Sequence, residues 1–417
     1  MADADPELRE MRTTCCIVGG GPAGMMLGFL LARAGVAVIV LEKHRDFLRD
    51  FRGDTIHPST LEVIHELGLL DEFLKLPHQE AKHLGGVIGG TEVNIADFTH
   101  LPTRCKFIAL MPQWDFLNFL AEHGVRYGTF DLRMQAEATG LIEDNGHIAG
   151  VRVTTPAGGL VIRAALVVGA DGRGSVVRER AGLPVQDLNA PIDVLWMRLS
   201  RRPSDGAEPL GNFGAGNIFV MIDRGDYWQC AFVIPKGAAE KVKAQGLDAL
   251  RASIVELAPQ LHDRVHELKT WDDVKLLTVR VDRLRQWHRP GLLCIGDAAH
   301  AMSPVGGVGI NLAVQDAVAA ANRLASPLHA GAVADAALAD VQRRRWFPTW
   351  ATQRLQVFIQ NNILSRVLAS RDVPSPPWPV RLVSRYPLLQ RIPARLVGVG
   401  LRPEHVRTPE VATARRG

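Results

Sequence analysis

The sequence predicts an α/β fold: a Rossmann-like dinucleotide-binding domain, a mostly antiparallel β-sheet domain set into it, and a helical C-terminal segment. Three observations carry that prediction. The chain opens with a strand, a glycine turn, a helix and a second strand. Two more glycine–acid loops follow apolar strands far downstream, and the middle third holds four β-rich runs. With 417 residues, 47% of them hydrophobic and 22% charged, the chain can build two or three domains without staples.

The first strand is the β-rich run Thr13–Val18, and Gly19-Gly20-Gly21-Pro22-Ala23-Gly24 follows at once. Met25–Ala34 is a stretch of helix formers closed by Gly35, and Val36–Leu41 is a second apolar strand ending on Glu42. This is G-x-G-x-x-G inside a β-α-β unit with an acid at the end of the second strand, the context that gives the motif its meaning. Gly19 makes the tight turn, Gly21 lets the backbone approach a pyrophosphate, and Gly24 lets the helix lie close on the strands. Pro22 and Ala23 open the helix, whose N-terminal N–H groups and partial positive charge face the phosphates. Glu42 can accept hydrogen bonds from ribose hydroxyls. Lys43, with His44 and Arg45, suits either the 2′-phosphate of NADPH or a solvated turn. A dinucleotide binds here.

The second glycine–acid signal is Leu166–Gly169 leading into Ala170, Asp171 and Gly172, with Arg173, Ser175 and Arg178 beyond. The third is Leu292–Ile295 leading into Gly296, Asp297, Ala298, Ala299 and His300, then Pro304, Gly306, Gly307 and Gly309. An Ala-rich helix from Asn311 to about Leu324 follows, so the N–H groups around Gly309, Ile310 and Asn311 repeat the anion-site logic of the first turn. His300 reads as a cap on this loop.

GGGPAG, VVGADG and CIGDAAHAMSPVGGVGIN, in that order, resemble the para-hydroxybenzoate hydroxylase family of FAD-dependent monooxygenases over about Thr13–Leu324. The resemblance implies that Gly19, Gly21, Gly24 and Glu42 hold the pyrophosphate and adenosine ribose of FAD. Asp297 would meet the ribitol, and Pro304, Gly306, Gly307, Gly309 and Asn311 the isoalloxazine. It also matches Asp171 to a motif shared by FAD and NAD(P)H, Arg52 to a pyrophosphate arginine, and Gln113 to a ribityl contact. The implied activity is an NAD(P)H- and O2-consuming hydroxylation or epoxidation of an electron-rich, aromatic small molecule through a flavin C4a-hydroperoxide. No second complete G-x-G-x-x-G turn is present, so NAD(P)H is expected to bind transiently. The FAD-binding domain is expected over 11–75, 101–182 and 286–330, the substrate-binding sheet over 76–100 and 183–285, and the helical segment over 331–417.

In the middle third, Ile192–Leu199, Asn217–Ile222, Tyr227–Ile234 and Lys275–Val281 read as strands of an antiparallel meander. One face should cover the flavin. Trp196, Arg198, Phe219, Met221, Trp228, Cys230 and Phe232 are candidates for the pocket lining or for plain sheet core, and period 2 alone does not choose the inward set. Arg198 suits a substrate carboxylate or phenolate, or a surface ion pair. His57 is either a proton relay at the pocket or a surface-loop histidine. No catalytic base stands out.

After Leu324 the pattern continues as a long helix to Leu368, broken by Pro374, Pro376, Pro377 and Pro379. The segment Leu382–Val399 mixes apolar residues with arginines. It reads as peripheral membrane contact, as some relatives show, or as a helix packed on the FAD domain with a basic outer face. The near-cancelling charge, 48 Lys+Arg against 44 Asp+Glu, argues against a nucleic-acid partner. Five cysteines without metal spacing, no apolar leader and no apolar run near the ~18 residues of a span place the protein in the cytoplasm, and the sequence does not choose between monomer and homodimer. The rival readings are an FAD-dependent halogenase, whose W-x-W-x-I-P motif is only partly echoed by Trp228–Pro235, an FAD-dependent reductase of prenyl or polyene substrates, and a non-enzymatic flavin-binding regulator.

Overall fold

A computed structural model describes residues 9–48, 55–205 and 211–411. The opening β-α-β unit forms as its pattern dictates: strand Arg9–Val18, helix α1 (Pro22–Arg33) and strand Val38–Leu41. These strands pair in parallel, Cys15 opposite Val38 and Val18 opposite Leu41. The sheet grows outward in the order 288–289, 292–294, 158–169, 9–18, 38–41, 130–133, with the hairpin 137–155 added antiparallel to 158–169. All three glycine–acid signals therefore sit at the C-terminal ends of neighbouring parallel strands, where crevices form in such sheets.

Two helices pack on this sheet and on each other, α1 and the long Gly309–His329, with helix Gln113–Gly124 also against α1. Their shared core is continuous from Cys15 through Met25, Leu27, Leu30, Val314, Val318 and Leu324, all fully buried.

The second sheet runs 275–277, 192–200, 227–235, 218–223, 211–213, 83–88, 91–97, antiparallel except where 211–213 meets 83–88. The fourth expected strand is shorter than its apolar run: it ends at Leu277, because the Val279 N–H leaves the ladder for the Asp193 carboxylate, 2.9 Å. Both faces of this sheet are covered. One face (Leu195, Met197, Phe219, Met221, Trp228, Cys230, Phe232) lies with Leu250, Ile254 and Leu261 of the segment that includes helix Leu247–Leu257. The opposite face (Val194, Ile218, Ala231, Val233, with Trp196 and Val220) meets Val305 of the third glycine loop and Leu364 of the C-terminal region.

Asp205, beyond strand 192–200, is a structural acid with a buried side chain. It accepts from Arg264, from the Trp228 Nε1–H at 2.9 Å and from the Arg202 N–H at 3.0 Å. Burial opposes its charge, but these bonds more than offset that and hold the carboxyl at about 2.

The C-terminal helix also departs from a single regular rod. Asp335–Ile359 is α-helical, Gln360–Leu364 widens into one π-helical stretch, and Ser365–Ala369 returns to α. Beyond the prolines, helices Trp378–Arg385 and Pro387–Gly398 form a hairpin. It packs on the edge strand Thr91–Asp97 of the second sheet, not on the first sheet. Among the described residues no helix is long and apolar enough to cross a membrane.

Candidate cofactor and substrate site

The glycines of the first turn divide into closed and open positions. Gly19 has φ +110°, and a Cβ on it would lie 2.3 Å from the Ala170 carbonyl, so the first and second signals touch. A Cβ on Gly24 would lie 1.9 Å from the Gly19 oxygen. Around Gly21 a Cβ would meet nothing within 4 Å, and the same holds at Gly309, which begins the long third-loop helix. Protein packing explains Gly19 and Gly24, whereas Gly21 and Gly309 border open space at two helix N-termini whose first N–H groups have no helical acceptor. That is the shape a pyrophosphate and a flavin ring need. Glu42, mostly buried, accepts from the Gly20 N–H at 3.2 Å and the His44 N–H at 2.9 Å, which fixes it at the strand end.

The second signal is held by its own acid. Asp171 accepts from the Ser175 hydroxyl at 2.5 Å and the Val177 N–H at 3.1 Å, and burial raises its carboxyl above the ordinary range. Arg178 turns inward to pair with both oxygens of Asp282, 3.1 and 3.2 Å, and to bond the Arg173 carbonyl at 2.5 Å. Arg173 reaches the third signal: its Nε–H donates to Asp297 at 3.0 Å. Two motifs 124 residues apart thus share one half-exposed ion pair at the crevice mouth.

Behind the third loop lies a buried charge chain. Asp316, on the long helix, accepts from the Gly296 N–H at 3.0 Å, His300 Nε2–H at 2.5 Å and Arg345 Nε–H at 2.9 Å. Arg345 continues to Glu404 at 3.3 Å. Burial would raise Asp316, and its His300 and Arg345 partners more than offset it, keeping the carboxylate below its ordinary value. His300 therefore braces the helix from behind the loop.

The front of the loop is clamped by other residues. Asn311 Oδ1 accepts from Ser59 at 2.5 Å and Thr60 at 3.0 Å, and Thr55 donates to the Gly307 carbonyl at 2.9 Å. His57 is fully buried, not a surface residue: Nδ1–H donates to the Val397 carbonyl at 2.8 Å. From behind, three buried glutamines on one face of the Asp335–Ile359 helix and its π extension hold the loop, two through its backbone and one through a side chain. Gln353 donates to the Asp282 and Ala301 carbonyls, Gln356 to those of Ser303 and Val305, and Gln360 to the Ser303 hydroxyl at 2.6 Å. The sequence reading missed this ladder; its signal was glutamine recurring at 353, 356 and 360 on one helix face.

The remaining predicted residues are dispersed. Pro22, Ala23, Gly296, Pro304, Gly307 and Ile310 stand on the turns just described, Lys43 is exposed, and Gln113 is the half-buried first residue of its helix. Arg52 lies outside the described residues. Trp196 is on the sheet face toward Val305. Phe219, Met221, Cys230 and Phe232 are on the other face, in the core with Leu250 and Ile254. Arg198 shares the Trp196 face but stands at its open end, 59% exposed and 3.7 Å over the Tyr227 ring.

His57 carries a pH signature. Burial pushes its imidazole down to about 4, with backbone carbonyls of Val397 and Gly307 opposing in part. An unfolded His titrates near ~6.5. Between those values only the unfolded chain takes up the proton, so stability is lost as pH falls from 6.5 toward 4, by about 3 kcal/mol in all. His57→Gln is expected to flatten that part of the pH profile in urea unfolding; an unchanged slope would place the titration elsewhere.

A family model described as an FAD binding domain matches residues 12–354. The chain is 33% identical over 396 residues to a 6-methylpretetramide 4-monooxygenase of Streptomyces rimosus, covering 94% of this chain and 93% of that protein. It is 30% identical to a 12-dehydrotetracycline 5-monooxygenase/anhydrotetracycline 6-monooxygenase of the same species, over 74% of this chain but 61% of that longer protein. The crystal structure of a p-nitrophenol 4-monooxygenase of Pseudomonas putida superposes with TM-score 0.73 at 21% identity, over 93% of this chain and 97% of that one, which shows the shared fold. By a family match over most of its length and a relative that spans nearly all of it, the chain belongs to the FAD binding domain family of flavin-dependent monooxygenases.

Proposed function

We propose that this enzyme uses NAD(P)H and O2 to hydroxylate a fused-ring phenolic compound of polyketide type. One observation carries the substrate class: the relative matched over 94% of this chain and 93% of its own length is a 6-methylpretetramide 4-monooxygenase. The glycine positions support the cofactor placement. The pyrophosphate would lie over Gly21 at the N-terminus of α1, the adenosine ribose against Glu42, the ribityl chain at Arg173 and Asp297, and the flavin ring along Gly306–Asn311. Bound there, FAD would supply the redox chemistry, with hydride from NAD(P)H, one oxygen atom of O2 going to the substrate ring and the other leaving as water.

The protein's own contribution is positioning and exclusion of water. The N–H groups opening the Gly309–His329 helix favour negative charge on the ring they face. The apolar face with Val194, Ile218, Ala231 and Trp196 closes the opposite side, which keeps water from diverting the oxygen to H2O2. Neutral His57, whose Nδ1 proton is committed to Val397, keeps a buried Nε2 that can accept a hydrogen bond but, with the ring held down to about 4, is not a base at neutral pH. The five cysteines are buried and unpaired, which fits a reducing cytoplasm.

Purified protein is expected to be yellow and to oxidise NAD(P)H faster with a polyphenolic tetracycle than without. Product mass is expected to rise by one oxygen. Gain of chlorine in the presence of chloride would mean halogenation, and gain of two hydrogens would mean reduction; either result overturns the proposal.

A further inference from the structure

We propose that the C-terminal helical hairpin is a docking surface for an anionic lipid bilayer, on which the enzyme lies without crossing it. The two helices repeat one pattern, apolar-x-x-Arg-apolar-x-x-Arg: Trp378, Arg381, Leu382 and Arg385 in the first, Leu388, Arg391, Ile392 and Arg395 in the second. At helical spacing this sets an apolar row beside an arginine row on each helix. All eight side chains point outward, with Trp378 70%, Leu388 69% and Ile392 60% exposed, and Tyr386 at the bend 51%.

The opposite side of the hairpin is committed to the protein. Ser384 Oγ accepts the Asn94 N–H of the edge strand at 3.0 Å, and Gln390 closes the bend on the Ser384 carbonyl at 3.1 Å. Ala394 packs with Ala96, Phe98 and Leu101, and a Cβ on Gly398 would lie 2.8 Å from Leu101. The exposed rows are therefore presented by a fixed support.

Charge decides the occupant. No Asp or Glu occurs between Asp372 and Glu404, and among the described residues none of Arg381, Arg385, Arg391 and Arg395 pairs with a carboxylate. A second copy of this face would set four arginines against four, and a neutral apolar partner would leave all four unmatched. An anionic bilayer satisfies both rows: the apolar side chains enter the headgroup–acyl boundary and the guanidiniums meet lipid phosphates. Trp378 and Tyr386 are the residue types that settle at that depth.

The test is co-sedimentation of the FAD-loaded full chain with phosphatidylglycerol–phosphatidylcholine vesicles and with phosphatidylcholine vesicles alone. At about fivefold per arginine, partitioning onto the anionic vesicles is expected to be stronger by several hundredfold and to weaken with added salt. Replacing the four arginines by glutamine should abolish that preference. Trp378→Ser with Leu388→Ser and Ile392→Ser should weaken binding to both, and neither variant should lose flavin or turnover of a dissolved substrate. The tryptophan emission of the parent protein should shift to the blue on binding, and a Trp378→Phe variant should lose that shift. Equal binding to both vesicle types, an unaffected arginine variant, or a dimer split by the serine variant would each overturn the proposal. None of these outcomes depends on the substrate assignment.

Discussion

Asp316→Ala is expected to destabilise the protein by about 3–5 kcal/mol, because it breaks the closer of two carboxylate contacts of Arg345 at zero exposure and leaves only Glu404 at 3.3 Å. The same change removes the acceptor of the Gly296 N–H, so flavin retention should fall with stability. Urea unfolding followed by tryptophan and flavin fluorescence measures both. The double variant Asp316→Leu with Arg345→Met should recover much of the stability, since apolar replacement of a whole buried pair is often near neutral. A single-variant cost below about 1 kcal/mol would show that water reaches Arg345 and that the chain is not a buried network.

Gly21→Leu is expected to separate cofactor binding from folding. A Cβ there would meet no protein atom within 4 Å, so the side chain starts in open space and the FAD-free variant should unfold near the parent's urea midpoint. The same side chain would occupy the position proposed for the pyrophosphate, and FAD affinity should drop by about 100-fold or more, some 2.7 kcal/mol. Gly24→Leu supplies the contrast, because a Cβ 1.9 Å from the Gly19 carbonyl displaces backbone and should impair folding itself. Equilibrium dialysis with FAD beside urea midpoints distinguishes the two. Normal FAD binding by Gly21→Leu would move the pyrophosphate off this turn.

What the sequence made legible was local. Gly19, Gly21, Gly24 and Glu42 span 24 positions, and strand, turn and helix propensities within that window specify their arrangement. The antiparallel sheet was equally readable as strands, but its facing was not. Phe219, Met221, Cys230 and Phe232 look like a ligand pocket only because they are larger than Ile218, Val220, Ala231 and Val233. A sheet covered on both sides offers no polar face to mark which set points where. Asp205 escaped because its partners Arg264 and Trp228 are 59 and 23 residues away. The Arg173–Asp297 pair and the glutamine ladder escaped for the same reason: each is a contact between segments whose proximity only the topology creates.

That ladder also has a consequence for the order in which the protein is made. The first turn is complete once strand Val38–Leu41 can pair, yet its strand Arg9–Val18 needs residues 158–169 as neighbour, and the third loop needs Gln353, Gln356, Gln360 and Arg345. At ~5–20 residues per second, roughly 15–65 s of synthesis separate Gly19 from Arg345. Through that interval the nascent chain carries a half-built crevice whose parallel strand pairings still await closure of long loops. A crevice built from all three signals therefore closes only after residue 360 has been made, late in synthesis.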